Sequence, residues 1–299
     1  MTHEPVPVLE VGGTHVTAAL VDLRQDAPAV TATVRRSLAH DESAAQILDD
    51  LAEAARSVAA GPGSIWGVAV PGPFDYAAGV AWYRDVGKFD SLYGVDVGAE
   101  LAERLPGAGG FAFVNDAEAF TGGEWAFGVA RGHERVVGIT LGTGIGSTFL
   151  ESGKAVRVGP SVPPEGRADL VRYADAPLEE TISRRALIAR YEELTGTRKD
   201  VAELAELARS GDAVAERVLD EGFAHLGRAL APWFASFAAG VVVVGGSMSA
   251  SWDLFGPSVR RGMVEAVPAL EELPMAVARR PVQAPLLGAA LTAHDAARR

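Results

Sequence analysis

The 299-residue sequence contains no cysteine. Disulfides, thiolate nucleophiles and Cys-ligated zinc or iron–sulfur sites are therefore excluded. A long apolar run is also missing. The VVVV at 241–244 suits a buried strand and falls far short of the about 20 apolar residues that a membrane span needs. The first residues, MTHEPVPVLEVGG, lack the basic-then-apolar pattern of a secretory signal. Positive charge is scarce. Lys and Arg number 27 against 39 Asp and Glu, a net charge of −12. The deficit lies mostly in residues 1–150, which carry 9 basic and 19 acidic side chains. Polyanion binding needs a concentration of Lys and Arg. Neither nucleic acid nor a membrane is expected as a partner, and the expected location is the cytoplasm.

Hydrophobic residues make up 48 % of the chain, enough for a sizeable core at this length. Residues 7–22, PVLEVGGTHVTAALVD, read as strand, Gly-Gly-Thr turn and strand. A helix is expected over 41–59, capped by Asp41 or Ser43, with Ile47, Leu48, Leu51, Ala55 and Val58 as its apolar stripe. Residues 64–70 read as a buried strand stopped by Pro71-Gly72-Pro73. A short strand at 111–114 ends at Asn115-Asp116, and a helix is expected over 117–126. Residues 136–150, VVGITLGTGIGSTFL, repeat the hairpin pattern. Residues 159–177 read as irregular. Helices are then expected over 178–195, 201–210 and 213–237, a strand over 241–244, and helices over 251–263 and 286–297.

Four motifs carry chemistry. The turns at Gly12-Gly13-Thr14 and Gly142-Thr143-Gly144 match each other. Glycine at a tight turn lets backbone N–H groups approach a phosphate, and Thr adds a hydroxyl. One such turn is ordinary; two matching ones suit a polyphosphate. Glu10 lies inside an apolar strand beside the first turn. Such an acid must be desolvated or face a cleft; it holds Mg²⁺ through water or is an edge carboxylate with a basic partner. Asp116 opens a helix after a strand. It is either a helix cap or a general base for phosphoryl transfer, with Asn115 holding neighbouring hydroxyls. Gly245-Gly246-Ser247 follows four valines, and its glycines allow a nucleoside to approach.

In this order and spacing the pieces resemble the ROK sugar kinases of the actin/hexokinase superfamily over nearly the whole chain. LEVGGTHVTAALVD and ITLGTGIGSTFLESGK are similar to the family's two phosphate motifs. GVAVPGPFDYAAG resembles its sugar-side loop and FVNDAEAFTGGE its catalytic segment. VVVVGGSMS resembles its adenosine motif. The resemblance implies an α/β fold of the actin/hexokinase-like (ribonuclease-H-like) type, with two lobes and a cleft between them. The lobes are expected as residues 1–116, with helix 286–299 packed back on them, and residues 117–285. It implies ATP and Mg²⁺, a small-molecule sugar and a homodimer. Asp116 would be the base and Glu10 the Mg²⁺ residue. Asn115, Glu165, Glu179, Pro71 and Gly72 would face the sugar. Gly12, Gly13, Thr14, Gly142, Thr143 and Gly144 would bind phosphates, and Gly245 and Gly246 the nucleoside. The acceptor is then a primary, 6-type hydroxyl of a hexose, aminosugar or sugar-like cyclitol, with polyphosphate as a second possible donor.

The departures from the family pattern are specific. Glu10 stands where Asp is usual, and His15 where Lys is usual. The Glu-x-x-His motif reads Glu165-Gly166-Arg167-Ala168, and the zinc cysteines are gone. No structural zinc is expected, and proline stiffness and packing must order 159–177. The family also contains sugar-responsive transcriptional regulators and allows a non-catalytic sugar sensor. With the first hairpin beginning within ten residues of the start, a preceding DNA-binding element is not expected.

Overall fold

The computed structural model describes residues 4–24, 28–142 and 144–298. The chain divides into two units, Met1–Gly128 with Arg280–Arg299 and Val129–Arg279. The first is built on a five-stranded sheet. Its strands are β1 (Val6–Val11), β2 (His15–Asp22), β3 (Ala29–Ser37), β4 (Ile65–Val70) and β5 (Gly110–Asn115). The spatial order is β3-β2-β1-β4-β5. β1, β2 and β3 pair antiparallel, while β4 and β5 run parallel to β1. The expected first hairpin is β1–β2, with Glu10 opposite Thr17 and Thr17 opposite Arg35.

Helices cover this sheet. α1 (Ala44–Arg56) is capped by Ser43, which accepts from the Gln46 N–H at 3.3 Å. Its buried stripe includes Ile47, Leu48, Leu51 and Ala55, and it packs with α2 (Val97–Arg104). α3 (Asp116–Phe127) follows β5 directly, and the last helix, α9 (Ala284–Ala296), lies against α3, β4 and β1. The small residues of α9 explain that contact. A Cβ on Gly288 would overlap the Ala119 backbone, and one on Gly123 the Ala284 backbone. The helices meet backbone to backbone, which only Gly and Ala permit.

The second unit repeats the sheet pattern. β6 (Arg135–Leu141) and β7 (Ile145–Glu151) form the second expected hairpin, and β7 is extended by β8 (Lys154–Ala155). β9 (Val241–Gly245) and β10 (Met275–Val277) add in parallel, giving the order β8-β7-β6-β9-β10. Both sheets therefore run antiparallel, antiparallel, parallel, parallel, a duplication of topology as well as of turn sequence. β9 is buried along its whole length, as expected of a strand covered on both faces.

The helices of this unit are α4 (Leu178–Ile182), α5 (Arg184–Thr195), α6 (Val201–Arg209), α7 (Ala213–Ser236) and α8 (Trp252–Ala266). Two expectations are corrected here. The single helix expected over 178–195 breaks at Ser183, which leaves helical geometry (ψ 161°) and caps α5 through the Ala186 N–H. The helix expected from 251 begins at Trp252, after a 3-10 turn over Ser247–Ser251. α7 and α8 pack with Phe223 stacked on Phe255 at 4.1 Å. Among the described residues no helix is long and apolar enough to cross a membrane.

Candidate active site

The chemistry-bearing residues of the first unit collect around the β1–β2 turn and the β5–α3 junction. The Gly12 N–H donates to the His15 carbonyl at 2.9 Å and closes the turn. Gly13 and the exposed Thr14 form its tip. Glu10 accepts a hydrogen bond from Thr17, its cross-strand partner. Burial pushes the Glu10 carboxyl above the usual carboxylate range, the Thr17 bond opposes this, Asp116 adds to the rise and Arg35 lowers it. Two carboxylates in electrostatic reach of each other suit a divalent cation. Mg²⁺ takes one or two carboxylates along with water and phosphate oxygens, so the Glu10 carboxylate fits that ion.

The capping question at 115–116 is resolved by geometry. Asn115 is the cap: its Oδ1 accepts from the N–H groups of Ala117 at 3.0 Å and Glu118 at 3.2 Å. Asp116 is the first helical residue, exposed, and its Oδ1 also accepts from the Ala117 N–H at 2.9 Å. The carboxylate thus stands at a helix N-terminus, where the dipole favours negative charge. The Asn115 amide donates to the Tyr76 hydroxyl at 3.0 Å, a partner the sequence did not disclose. A Cβ on Gly72 would come within 3.4 Å of that hydroxyl. Tyr83 is buried and donates to the Pro71 carbonyl at 2.8 Å. Burial, then Tyr76 and Asp116, push the Tyr83 phenol well up. The Pro71-Gly72 loop is therefore fastened to Tyr83 and faces Tyr76, while Asp85 is exposed and Lys88 half-buried.

His15 has definite partners. Its Nδ1 lies 3.1 Å from Thr14 Oγ1 and its Nε2 2.9 Å from Arg35 Nη2. Burial and the Arg35 charge hold its pKa below the ordinary value.

In the second unit the β6–β7 turn is closed by the Gly142 N–H donating to the Gly144 carbonyl at 3.0 Å. Thr143 lies outside the described residues. Glu179, at the start of α4, sits directly against this turn: a Cβ on Gly144 would overlap Glu179 Oε1. Gly246 has φ +83°, and a Cβ there would overlap the Leu141 backbone. The Gly245-Gly246-Ser247 turn is thereby seated on the end of β6, and its Gly246 carbonyl accepts from Ser249 Oγ at 2.7 Å. Gly142 and Gly144 of the second turn, Glu179 and the Gly246-Ser247 turn after β9 lie together.

Residues 159–177 are held by specific bonds. Buried Ser147 on β7 donates through Oγ to the Gly166 carbonyl at 2.8 Å and accepts from the Ala168 N–H at 2.7 Å. Arg167 forks onto Asp169 (3.2 and 2.6 Å) and reaches Glu165 at 3.4 Å. Val162, Ala168 and Val171 enter the core. Ala168, at the position of the family's His, is fully buried. Glu165 is exposed at φ +58°, a left-handed conformation that non-glycine residues adopt rarely. Among the described residues no group of three or more His, Asp or Glu side chains forms a metal cluster. Sequence reasoning missed Arg35, Tyr76 and Ser147, because each acts through a partner distant in sequence.

The family model described as "ROK family" matches residues 7–296. A glucokinase from Thermotoga maritima is 30 % identical over 278 residues, covering 83 % of this chain and 84 % of the relative. The ROK hexokinase of Thermus thermophilus is 25 % identical, with TM-score 0.74 over 98 % of this chain and 99 % of that one. A ROK family glucokinase from Streptomyces griseus, solved with glucose and AMPPNP, is 22 % identical with TM-score 0.72, covering 97 % and 99 %. The fold is thus the mixed α/β, actin/hexokinase-like type.

Proposed function

Because the chain belongs to the ROK family, we propose that this ATP-dependent sugar kinase acts on a primary, 6-type hydroxyl of a hexose, aminosugar or sugar-like cyclitol, with Asp116 as general base. The observation that carries this reading is the division of labour at 115–116. Asn115 is the N-cap, taking the Glu118 N–H and sharing the Ala117 N–H with Asp116, and the Asp116 carboxylate stays exposed, in electrostatic reach of Glu10. In the reaction the acceptor hydroxyl gives its proton to the Asp116 carboxylate. Its oxygen forms a bond to the γ-phosphorus in line with the bond that breaks, and ADP leaves. Phosphoryl transfer depends mainly on positioning and charge stabilisation. When bound, Mg²⁺ supplies charge neutralisation on the transferring group, and Glu10 is the residue that would hold it through water.

On this reading Gly12, Gly13 and Thr14 of the first turn motif, and Gly142, Thr143 and Gly144 of the second, bind phosphate oxygens. Gly245 and Gly246 face the nucleoside. On the same reading Asn115, Pro71 and Gly72 in the first unit, and Glu165 and Glu179 in the second, are sugar-binding residues. The Asn115 amide gives one N–H to Tyr76 and has a second N–H to offer a sugar hydroxyl. The same reading gives a cytoplasmic homodimer with Mg-ATP as donor. An ADP-release screen over hexoses, aminosugars and cyclitols tests it. Sugar-dependent ADP release is expected. Asp116→Asn should keep sugar affinity and lose about 10²–10⁴-fold in kcat. A near-normal rate in that variant removes Asp116 as the base, and ATP use by no sugar in the wild type points to a sensor or regulator.

A further inference from the structure

The first phosphate turn has one side-chain donor, the Thr14 hydroxyl, and its surroundings decide where that proton points. Arg35 lies on β3, two strands away from Glu10 in the row Glu10, Thr17, Arg35. Its Nη2 is 2.9 Å from His15 Nε2. A guanidinium has donors and no acceptor, so Nε2 must offer its lone pair. A neutral imidazole then carries its proton on Nδ1, which lies 3.1 Å from Thr14 Oγ1. The Thr14 oxygen accepts that bond, and its own O–H is directed elsewhere. Thr14 is exposed at the turn tip, so a ligand can reach that hydroxyl.

We infer that Arg35 is a positioning residue that acts through neutral His15 to present the Thr14 hydroxyl as an oriented donor to a nucleotide phosphate. The inference rests on the kinase reading for the identity of the anion. Its chemistry is a chain of three donors: guanidinium to Nε2, Nδ1–H to Oγ1, and Oγ1–H to a phosphate oxygen. Charge at the head of such a chain polarises each bond after it. The arrangement also places a cation beside Glu10, in the acidic half of the chain.

Two measurements test it on the full-length protein. The first is a long-range ¹H–¹⁵N correlation spectrum of the histidine rings, with His15 assigned by its loss in His15→Gln. Wild-type His15 should show the Nδ1–H tautomer, and Arg35→Met should shift it toward Nε2–H. A wild-type Nε2–H tautomer overturns the inference. The second is titration calorimetry with Mg-AMPPNP. Arg35→Met should weaken binding about tenfold, Arg35→Lys should restore most of it, and the sugar KM should stay within about twofold of wild type. In a Thr14→Val background Arg35→Met should cost less than about threefold further, since the chain is already cut. A tenfold loss in both backgrounds means Arg35 acts without Thr14, and no loss in either means it does nothing; both overturn the relay. Failure of the wild type to bind nucleotide removes the kinase reading itself, and the phosphate with it, while the tautomer still decides whether the donor chain exists.

Discussion

Replacing Ser147 by alanine should loosen residues 159–177 and with them Glu165, a proposed sugar contact. The side chain is buried on β7, and its hydroxyl makes two bonds, to the Gly166 carbonyl at 2.8 Å and from the Ala168 N–H at 2.7 Å. Both partners are buried, so the variant strands one acceptor and one donor. Each stranded buried group costs about 1–3 kcal/mol. Water reaching the opened turn caps the penalty at the free energy of local opening, so the lower end applies, about 2 kcal/mol in total. For a cooperative unit of about 150 residues each kcal/mol shifts Tm by about 2–4 °C. The expected shift is therefore about 4–8 °C. Opening displaces Glu165, which sits between the Ser147-bound residue and the core residue Val162. The sugar KM should rise more than about tenfold, while the KM for ATP changes little. Scanning calorimetry, trypsin cleavage at Arg167 or Arg172 and steady-state kinetics read the three effects. Ser147→Thr keeps the hydroxyl and should stay near wild type, and a chelator should leave the melting of all three proteins unchanged. If Ser147→Ala melts within about 1 °C of wild type and is cut no faster, these two bonds do not hold the segment, and the account of how it is ordered fails.

Three further outcomes follow from the geometry. Glu10→Gln keeps a partner for Thr17 but removes a desolvated charge facing Asp116; at pH 7.5 it should melt higher than wild type while its kcat falls, and a lower Tm would contradict the burial argument. Arg261 donates to both oxygens of Asp220 at 2.8 Å, and Ser258 adds a bond at 2.6 Å. The Arg261 bonds, foremost, hold the Asp220 carboxyl below its usual value. A depressed carboxyl pKa gives stability that is present above the ordinary value and lost as pH falls through the lowered one. Arg261→Met should therefore lower Tm slightly at pH 7, by an amount expected of an exposed pair, and not at all in acid; an equal loss at both pH values refutes the linkage. Gly246→Ala places a Cβ on the Leu141 backbone at φ +83°; it should lower Tm and weaken AMPPNP binding, and unchanged values for both would show that this turn is not seated on β6.

What could be read from the sequence was what is local. The two hairpins are legible because strand, turn and strand are contiguous, and their matching glycines sit at fixed places in each. The covered strand β9 announced itself as four valines. What escaped depended on distant partners. β3 has an alternation of half-buried and exposed positions, with no apolar run to mark it, so nothing local singles out Arg35. Only the pairing of β3 with β2 brings it to His15, twenty residues earlier. Ser147 reads as an ordinary strand residue until Gly166 and Ala168 close on it. The Asn115-Asp116 pair shows the same limit at the shortest range. Either residue can cap a helix, and the sequence does not say which. Asn115 takes the Glu118 N–H and shares the Ala117 N–H with Asp116, so Asp116 does not carry the cap by itself, and its exposed carboxylate can serve as a base. The functional reading of Asp116 thus depends on its neighbour. Asn115→Ala should shift capping onto Asp116, and so lower kcat more than an amide contact to sugar alone would; an effect confined to sugar KM would show that Asn115 only binds.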